Sequence, residues 1–221
     1  MSGVTVMRLY KLTDVNGQTR NKIQWGEGVT HTASGIGALS KSGWIRTYTD
    51  PLLAILLNPI HSNYENPLLW EAEGTIEKRN YGLCVGSRSL RAIHRIPLPE
   101  ISTEQRVKFA ILCVLEVYAE PTFCQWANKW LTGEDRTVAA ALATWVPRLL
   151  TWVPPPEGRR AIRPTHEVRA STWAAKAAGH MVLRKEKEAA GDAGLAAMEA
   201  ALVGPLDLAA LAAKVMVKGA V

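Results

Sequence analysis

Hydrophobic and polar positions change rhythm near the middle of this chain, from a two-residue alternation to a helical period. Val4 to Leu12 alternate well enough for a strand, with Val4, Val6, Leu9 and Tyr10 as candidates for burial. Asp14-Val15-Asn16-Gly17 is a turn signal, because Asn-Gly supplies the positive φ that hairpins need, and Lys22–Trp25 is the predicted returning strand. Residues 26–43 are rich in Gly, Ser and Thr and read as loop, with one short strand at Val29–Thr32. Gly43–Thr49 is the next strand. Asp50 then caps a short buried helix whose first position is Pro51 and which Asn58-Pro59 is expected to stop. Leu68–Ile76 forms a further strand, and Tyr81–Ile96 supplies one or two more, broken near Gly86.

From Ser102 onward the period is helical. Ser102-Thr-Glu-Gln105 is a capping box, followed by Val107, Ala110, Ile111, Val114, Leu115 and Tyr118 on one face of a helix over 102–119. Pro121 opens a helical stretch with Phe123, Trp126, Ala127 and Trp130, and Thr132-Gly133 interrupts it. Asp135 starts a third with Val138, Ala141, Leu142 and Trp145. Five prolines between residues 146 and 164, with Arg159, Arg160 and Arg163 among them, predict a stiff linker. Beyond it, alanine fills 18 of the 61 residues from Ala161 on. That composition favours helix but offers little volume to bury. Thr165 caps a predicted helix to about Ala190, Asp192 starts a second that Gly204-Pro205 ends, and Asp207 starts a third. The pattern predicts an α+β fold: a small, mostly antiparallel sheet with packed helices over residues 1–146, a Pro/Arg-rich linker at 147–164, and an Ala-rich helical region at 165–221.

Composition narrows the class. The 221 residues are 48% apolar and 21% charged, which describes a folded globular chain. Three cysteines without a CxxC pair exclude a zinc ribbon or a disulfide framework and suit a reducing, cytoplasmic setting, inside a host cell if the protein is phage-encoded. There is no secretory pattern at the N-terminus, and the longest apolar run, Pro51–Pro59, is far short of the ~20 residues that span a bilayer, so no membrane partner is expected. The net charge of +6 sits at both ends: residues 1–100 carry a net +3, residues 101–146 a net −1 and residues 147–221 a net +4. A polyanionic partner is permitted by that distribution but not demanded. Eight tryptophans are scattered along the chain, a placement that favours core roles over a binding stripe.

Motifs for chemistry mostly fail. Gly35-Ile-Gly-Ala-Leu-Ser-Lys41-Ser42 is one residue short of a P-loop, and a strand pattern follows where that motif needs a helix N-terminus. HExxH and GxSxG are missing, the five histidines are isolated in sequence, and no metal or cofactor is expected from spacing. Glu71 and Glu73 alternate with Trp70, Ala72 and Gly74, which places both carboxylates on one strand face, either as a catalytic pair or as edge charges that deter sheet pairing. Arg88, Arg91 and Arg95, with Arg159, Arg160 and Arg163, are the candidates for tracking a phosphate backbone.

Trp25-Gly26, His31, Gly43-Trp44-Ile45, Tyr48-Thr-Asp50-Pro51-Leu-Leu-Ala54, Asn58-Pro59-Ile60-His61, Leu69-Trp70-Glu71-Ala72-Glu73-Gly74 and Ile96-Pro-Leu-Pro99 occur in an order of their own. Over residues Tyr10 to about Tyr118 that order resembles a family of uncharacterised small proteins of tailed phages and prophages, in which a histidine often stands where this chain has Arg46. The resemblance implies a phage accessory protein, non-enzymatic, that binds a host or phage protein or nucleic acid and blocks or redirects host machinery. His31, Tyr48 and Glu71 or Glu73 are also similar in order to the constellation of the ADP-ribosyltransferase fold. That likeness implies an enzyme in which His31 and Tyr48 hold NAD while a glutamate polarises the ribose. A third reading is a homo-oligomeric component assembled through the Ala-rich helices.

Overall fold

The computed structural model describes residues 5–150 and 164–217 of the chain. Its elements are strands β1 (Met7–Thr13), β2 (Thr30–Thr32), β3 (Ile45–Thr47), helix α1 (Pro51–His61), and strands β4 (Leu68–Gly74), β5 (Lys78–Asn80), β6 (Cys84–Ser87) and β7 (Ser89–Ile96). Helices α2 (Thr103–Leu115), α3 (Pro121–Thr132), α4 (Val138–Leu150), α5 (His166–Val182), α6 (Glu186–Ala201) and α7 (Leu208–Met216) follow. The fold is α+β. By contact it divides into two compact units, residues 1–100 with 207–210, and residues 101–206 with 211–221. Helix α4 carries the chain through Pro147 to Leu150, into the start of the expected linker, whose remainder lies outside the described residues.

The first unit holds two antiparallel sheets where the sequence predicts one. The larger has the order β1-β4-β7-β2 and the smaller β3-β6-β5. An isolated bridge joins them: Tyr10 N–H donates to Tyr48 O (2.8 Å) and Tyr48 N–H to Tyr10 O (2.9 Å). This pairs β1 on its second edge at Tyr10, opposite β4. Leu9, Lys11, Leu12 and Thr13 are buried while Val6 is 61% exposed, and Val4 lies outside the described residues. The Asp14–Gly17 turn forms, with Gly17 at φ +77° and Asp14 Oδ1 accepting from Asn16 and Gln18 N–H. Lys22–Trp25 is not a returning strand. Only Gln24 bridges, to Gln18, because the second edge of β1 is already taken by Tyr48.

Asp50 caps α1 as expected, its carboxylate accepting from Leu52 and Leu53 N–H, and Leu53 to Leu57 are all buried. The helix does not stop at Asn58-Pro59 but runs through Pro59 to His61. A proline in a last turn withholds one donor, and Asn58 steadies that turn by a reciprocal side-chain pair with the backbone of Tyr64. β5 has no counterpart in the sequence reading. The break between β6 and β7 falls at Arg88 rather than Gly86. Between Glu71 and Ala72 the register of β4 with β7 shifts, leaving Ile93 as the extra residue of a bulge.

In the second unit the Ser102–Gln105 capping box forms with both reciprocal bonds, and α2 buries Val107, Ala110, Ile111 and Val114. Helix α3 begins at Pro121 and ends at Gly133, which adopts φ +81°. Helix α4 starts at Val138, three residues later than predicted. Thr137 Oγ1 accepts from Ala140 N–H there, while Asp135 accepts from Thr137. The predicted helix from Thr165 to Ala190 instead breaks after Val182. Arg184 turns the chain at φ +56°, and Asp192 lies inside α6 rather than at its start. Nothing in Leu183-Arg184-Lys185 is a breaker, so packing forces the turn. The pairs His166–Glu199 and His180–Asp192 set α5 and α6 antiparallel, and buried alanines on both let the helices meet closely. Both pack on α2, and α4 packs on α5.

Candidate functional site

In the first unit a cleft of about 700 Å³ opens between β1, β3, the end of α1 and the loops after β1 and β2. Its floor begins with Lys11. In register, Lys11 lies opposite Trp70 and Leu9 opposite Ala72, on the sheet face that carries the core of Leu9, Trp25, Ile45, Trp70 and Leu90. A lysine therefore occupies an inward strand position and is only 9% exposed. Its Nζ donates to Arg46 O at 2.9 Å and stands 5.5 Å from the Trp25 ring centroid. Burial, and then the positive charge of Arg46, lower its pKa to about 8.

Arg46, on β3, is the electrostatic centre. Its guanidinium reaches Leu39 O at 3.4 Å, and its charge acts on Lys11, Tyr48, His61 and Cys84 alike. His61, at the end of α1, stacks on Tyr48 at 5.8 Å and shares a 3.0 Å hydrogen bond between Nδ1 and the phenol. Burial and Arg46 lower the His61 pKa to about 4, so the ring is neutral at pH 7. Burial pushes the Tyr48 phenol up, so it keeps its proton, and pushes the Cys84 thiol up as well.

The walls are aromatic and glycine-built. Trp25 meets His31 edge-on at 4.6 Å, and His31 Nε2–H donates to Gln24 O at 2.7 Å. The loop from Gly35 to Gly43 closes on itself, Gly35 N–H donating to Gly43 O at 2.7 Å, and brings Ser40, Lys41, Ser42 and the half-buried Trp44 to the rim. A Cβ on Gly43 would sit 1.9 Å from Ile36 O, so only glycine permits that closure. Arg20 grips Ser62 O through Nε and a terminal nitrogen (3.1 and 2.7 Å), holding the far rim at the α1 terminus.

Four cations, Lys11, Arg20, Lys41 and Arg46, thus line the cleft, and no Asp or Glu does among the described residues. Trp25 Nε1 and Thr19 Oγ1, on residues of the same lining, are buried without a hydrogen-bond partner. An uncompensated positive lining with spare donors is suited to an anion. Among the described residues no group of three His, Cys, Asp or Glu side chains could hold a metal ion.

Of the sequence candidates, His31 lies in the cleft wall, and Tyr48 reaches it through His61. Glu71 and Glu73 do share a strand face, but it is the opposite one: they register with Tyr10 and Arg8, and Glu71 pairs with Arg8 at 3.2 Å. Neither lines the cleft. Arg88 is held by Glu77. Arg91 lies opposite Glu73, and the bulge at Ile93 puts Arg95 opposite Trp70, on the other face from Arg91. The three do not form one stripe. Arg159, Arg160 and Arg163 lie outside the described residues.

Lys11, Arg46, His61 and Trp25 as a set were not readable from spacing. The one local signal is the lysine between Leu9 and Thr13 in an alternating strand. The Gly35–Ser42 segment, rejected as a P-loop, is followed by a strand as expected, yet its Ser40, Lys41 and Ser42 line the cleft. No family model, curated protein or solved structure matches the chain. Among the described residues no helix is long and apolar enough to cross a membrane.

Proposed function

We propose that the protein acts by binding nucleic acid, with the cleft of the first unit seating a single-stranded phosphodiester segment. This keeps the macromolecule-binding reading and moves its contact surface from the β7 arginines to Lys11, Arg20, Lys41 and Arg46. The observation that carries it is the cationic lining, free of carboxylates among the described residues, set beside the half-buried Trp44 and Tyr64. Cations of this kind neutralise phosphates with counterion release, and aromatic faces stack bases without reading sequence. In the phage setting that the sequence resemblance implies, the strand is host or phage nucleic acid.

A fluorescence titration with a labelled oligothymidylate tests this. Arg46→Gln and Lys41→Gln together are expected to weaken binding at least ~10-fold and to flatten the salt slope by ~0.7 per charge removed. Neutralising Arg88, Arg91 and Arg95 is expected to leave affinity within ~3-fold, since those side chains lie outside the cleft. The reverse pattern would move the seat to β7, and an oligonucleotide that does not bind at all would end the reading. His31 and the Tyr48–His61 pair keep NAD as a second reading for the same cleft. Intrinsic tryptophan quenching by NAD in the same titration decides it.

A further inference from the structure

Resting on that reading, we infer that Lys11 is an amine nucleophile which forms an imine with an aldehyde carried on a phosphate-bearing ligand in the cleft. In a nucleic-acid strand the group that presents such a carbon is the ring-opened sugar left where a base has been lost.

Three features of the structure support the inference. The side chain projects from a strand whose neighbours Leu9, Leu12 and Thr13 are buried, so Nζ is held at one place on the cleft floor. Among the described residues no carboxylate lines the cleft to hold Lys11 as an ammonium, and burial with the nearby Arg46 outweighs the smaller pull of Cys84 toward that form. Lys41, Arg46 and Arg20 supply positive charge at the rim for the phosphate that brings the carbonyl in. A lysine desolvated beside another cation is a recurrent way of keeping an amine nucleophilic near neutral pH.

The step balances without a further reactant. The lone pair of neutral Lys11 Nζ attacks the aldehyde carbon while the carbonyl π pair moves to oxygen. Both protons of the amine leave the nitrogen in turn and end on the oxygen, which departs as water, and a C=N bond stands where C=O stood. No atom is oxidised or reduced.

The test uses the full chain with two probes, each followed by borohydride trapping: a single-stranded oligonucleotide of ~20 nucleotides with one abasic site, and pyridoxal 5′-phosphate. Peptide mass mapping of the wild-type protein is expected to place the adduct on Lys11, in preference to exposed lysines such as Lys22. Lys11→Arg keeps the charge but removes the amine, and is expected to lose the adduct at least ~10-fold. Adduct yield on the wild type is expected to rise from pH 7 to pH 9. Trapping with pyridoxal phosphate alone would keep the nucleophile and make the substrate a small phosphorylated carbonyl compound. An adduct scattered over exposed lysines, or none with either probe while intact oligonucleotide still binds, would overturn the inference and leave the binding reading standing. Loss of intact-oligonucleotide binding with Lys11 still trapped would overturn the binding reading instead. Mapping on the wild type keeps the outcome decisive even if Lys11→Arg fails to fold.

Discussion

Replacing Lys11 by methionine should make the protein more stable near neutrality, and the gain should shrink as the pH rises. Lysine loses charge from an ordinary pKa of 10.5 in the unfolded chain and from about 8 in the fold. Between those values the unfolded state binds more protons than the folded one, so wild-type stability climbs with pH over that window. Below it both states are protonated and the whole deficit of holding a buried cation remains. Worked from the two values, the deficit is about 3 kcal/mol at pH 7 and about 1 kcal/mol at pH 10. Methionine is similarly long and unbranched and carries no such term. It does lose the hydrogen bond to Arg46 O, which costs about 1 kcal/mol at any pH. Urea unfolding of both proteins at pH 7 and pH 10, followed by tryptophan fluorescence, gives the difference directly, because every other titrating group is shared. The stability gap should move by about 2 kcal/mol toward the wild type on going to pH 10. A gap that stays constant would mean that Lys11 is not an uncompensated buried cation.

Four further outcomes follow from the geometry. Glu199→Gln strips the partner shared by His166 and Arg169 and, with both partners still reaching solvent, should cost the helical unit about 1 kcal/mol, read from urea midpoints by circular dichroism. Burial opposes ionisation of Glu199, but the bonds from Arg169 and His166 outweigh it and hold the carboxyl below its ordinary range, so its contribution is present above that range and is lost as the pH falls through the lowered pKa. Asp192, raised chiefly by burial, acts with the opposite sign: it gains stability on protonation and offsets part of the acid loss, so Asp192→Asn should enlarge the loss of stability on acidification, read in a pH melt. Gly43→Ala should break the Gly35–Gly43 closure, lower stability by about 2 kcal/mol and weaken oligonucleotide binding in the same titration, whereas a loop that tolerates alanine with affinity unchanged would remove the loop from the site. Asp50→Ala should cost about 1 kcal/mol through the lost α1 cap, measured as a lowered melting temperature.

Local chemistry explains which elements were legible in the sequence. Ser102–Gln105, Asp50-Pro51 and the Asn16-Gly17 turn carry their own partners within four residues, so the rule that reads them needs no tertiary context. The misread elements are those that long-range contacts decide. Lys22–Trp25 has strand composition but no free edge of β1 to pair with, because Tyr48 occupies it. The α5–α6 break has no glycine or proline, and it exists because the alanine faces of the two helices, with His166–Glu199 and His180–Asp192 between them, are worth more packed together than as one long helix. Helix α1 runs through Pro59 because Asn58 and Tyr64 support its last turn.

The cleft was illegible for a related reason, and that reason bears on function. Counting basic residues along a chain measures charge before pairing. By that count Arg88, Arg91 and Arg95 stand out, yet Glu77 holds the first, Glu73 faces the second, and a bulge turns the third to another face. Lys11, Arg20, Lys41 and Arg46 never cluster in sequence, and what sets them apart is what the fold withholds: among the described residues no carboxylate lines the space they share. A charged residue at an inward strand position works against the packing rule that the rest of β1 obeys. Such a conflict persists where a site needs it, since an apolar side chain of the same length would serve the core better. On the proposed reading, Lys11 is the position where stability and binding pull in opposite directions. A substitution there that strengthens the fold while abolishing anion binding would separate the two demands within one side chain.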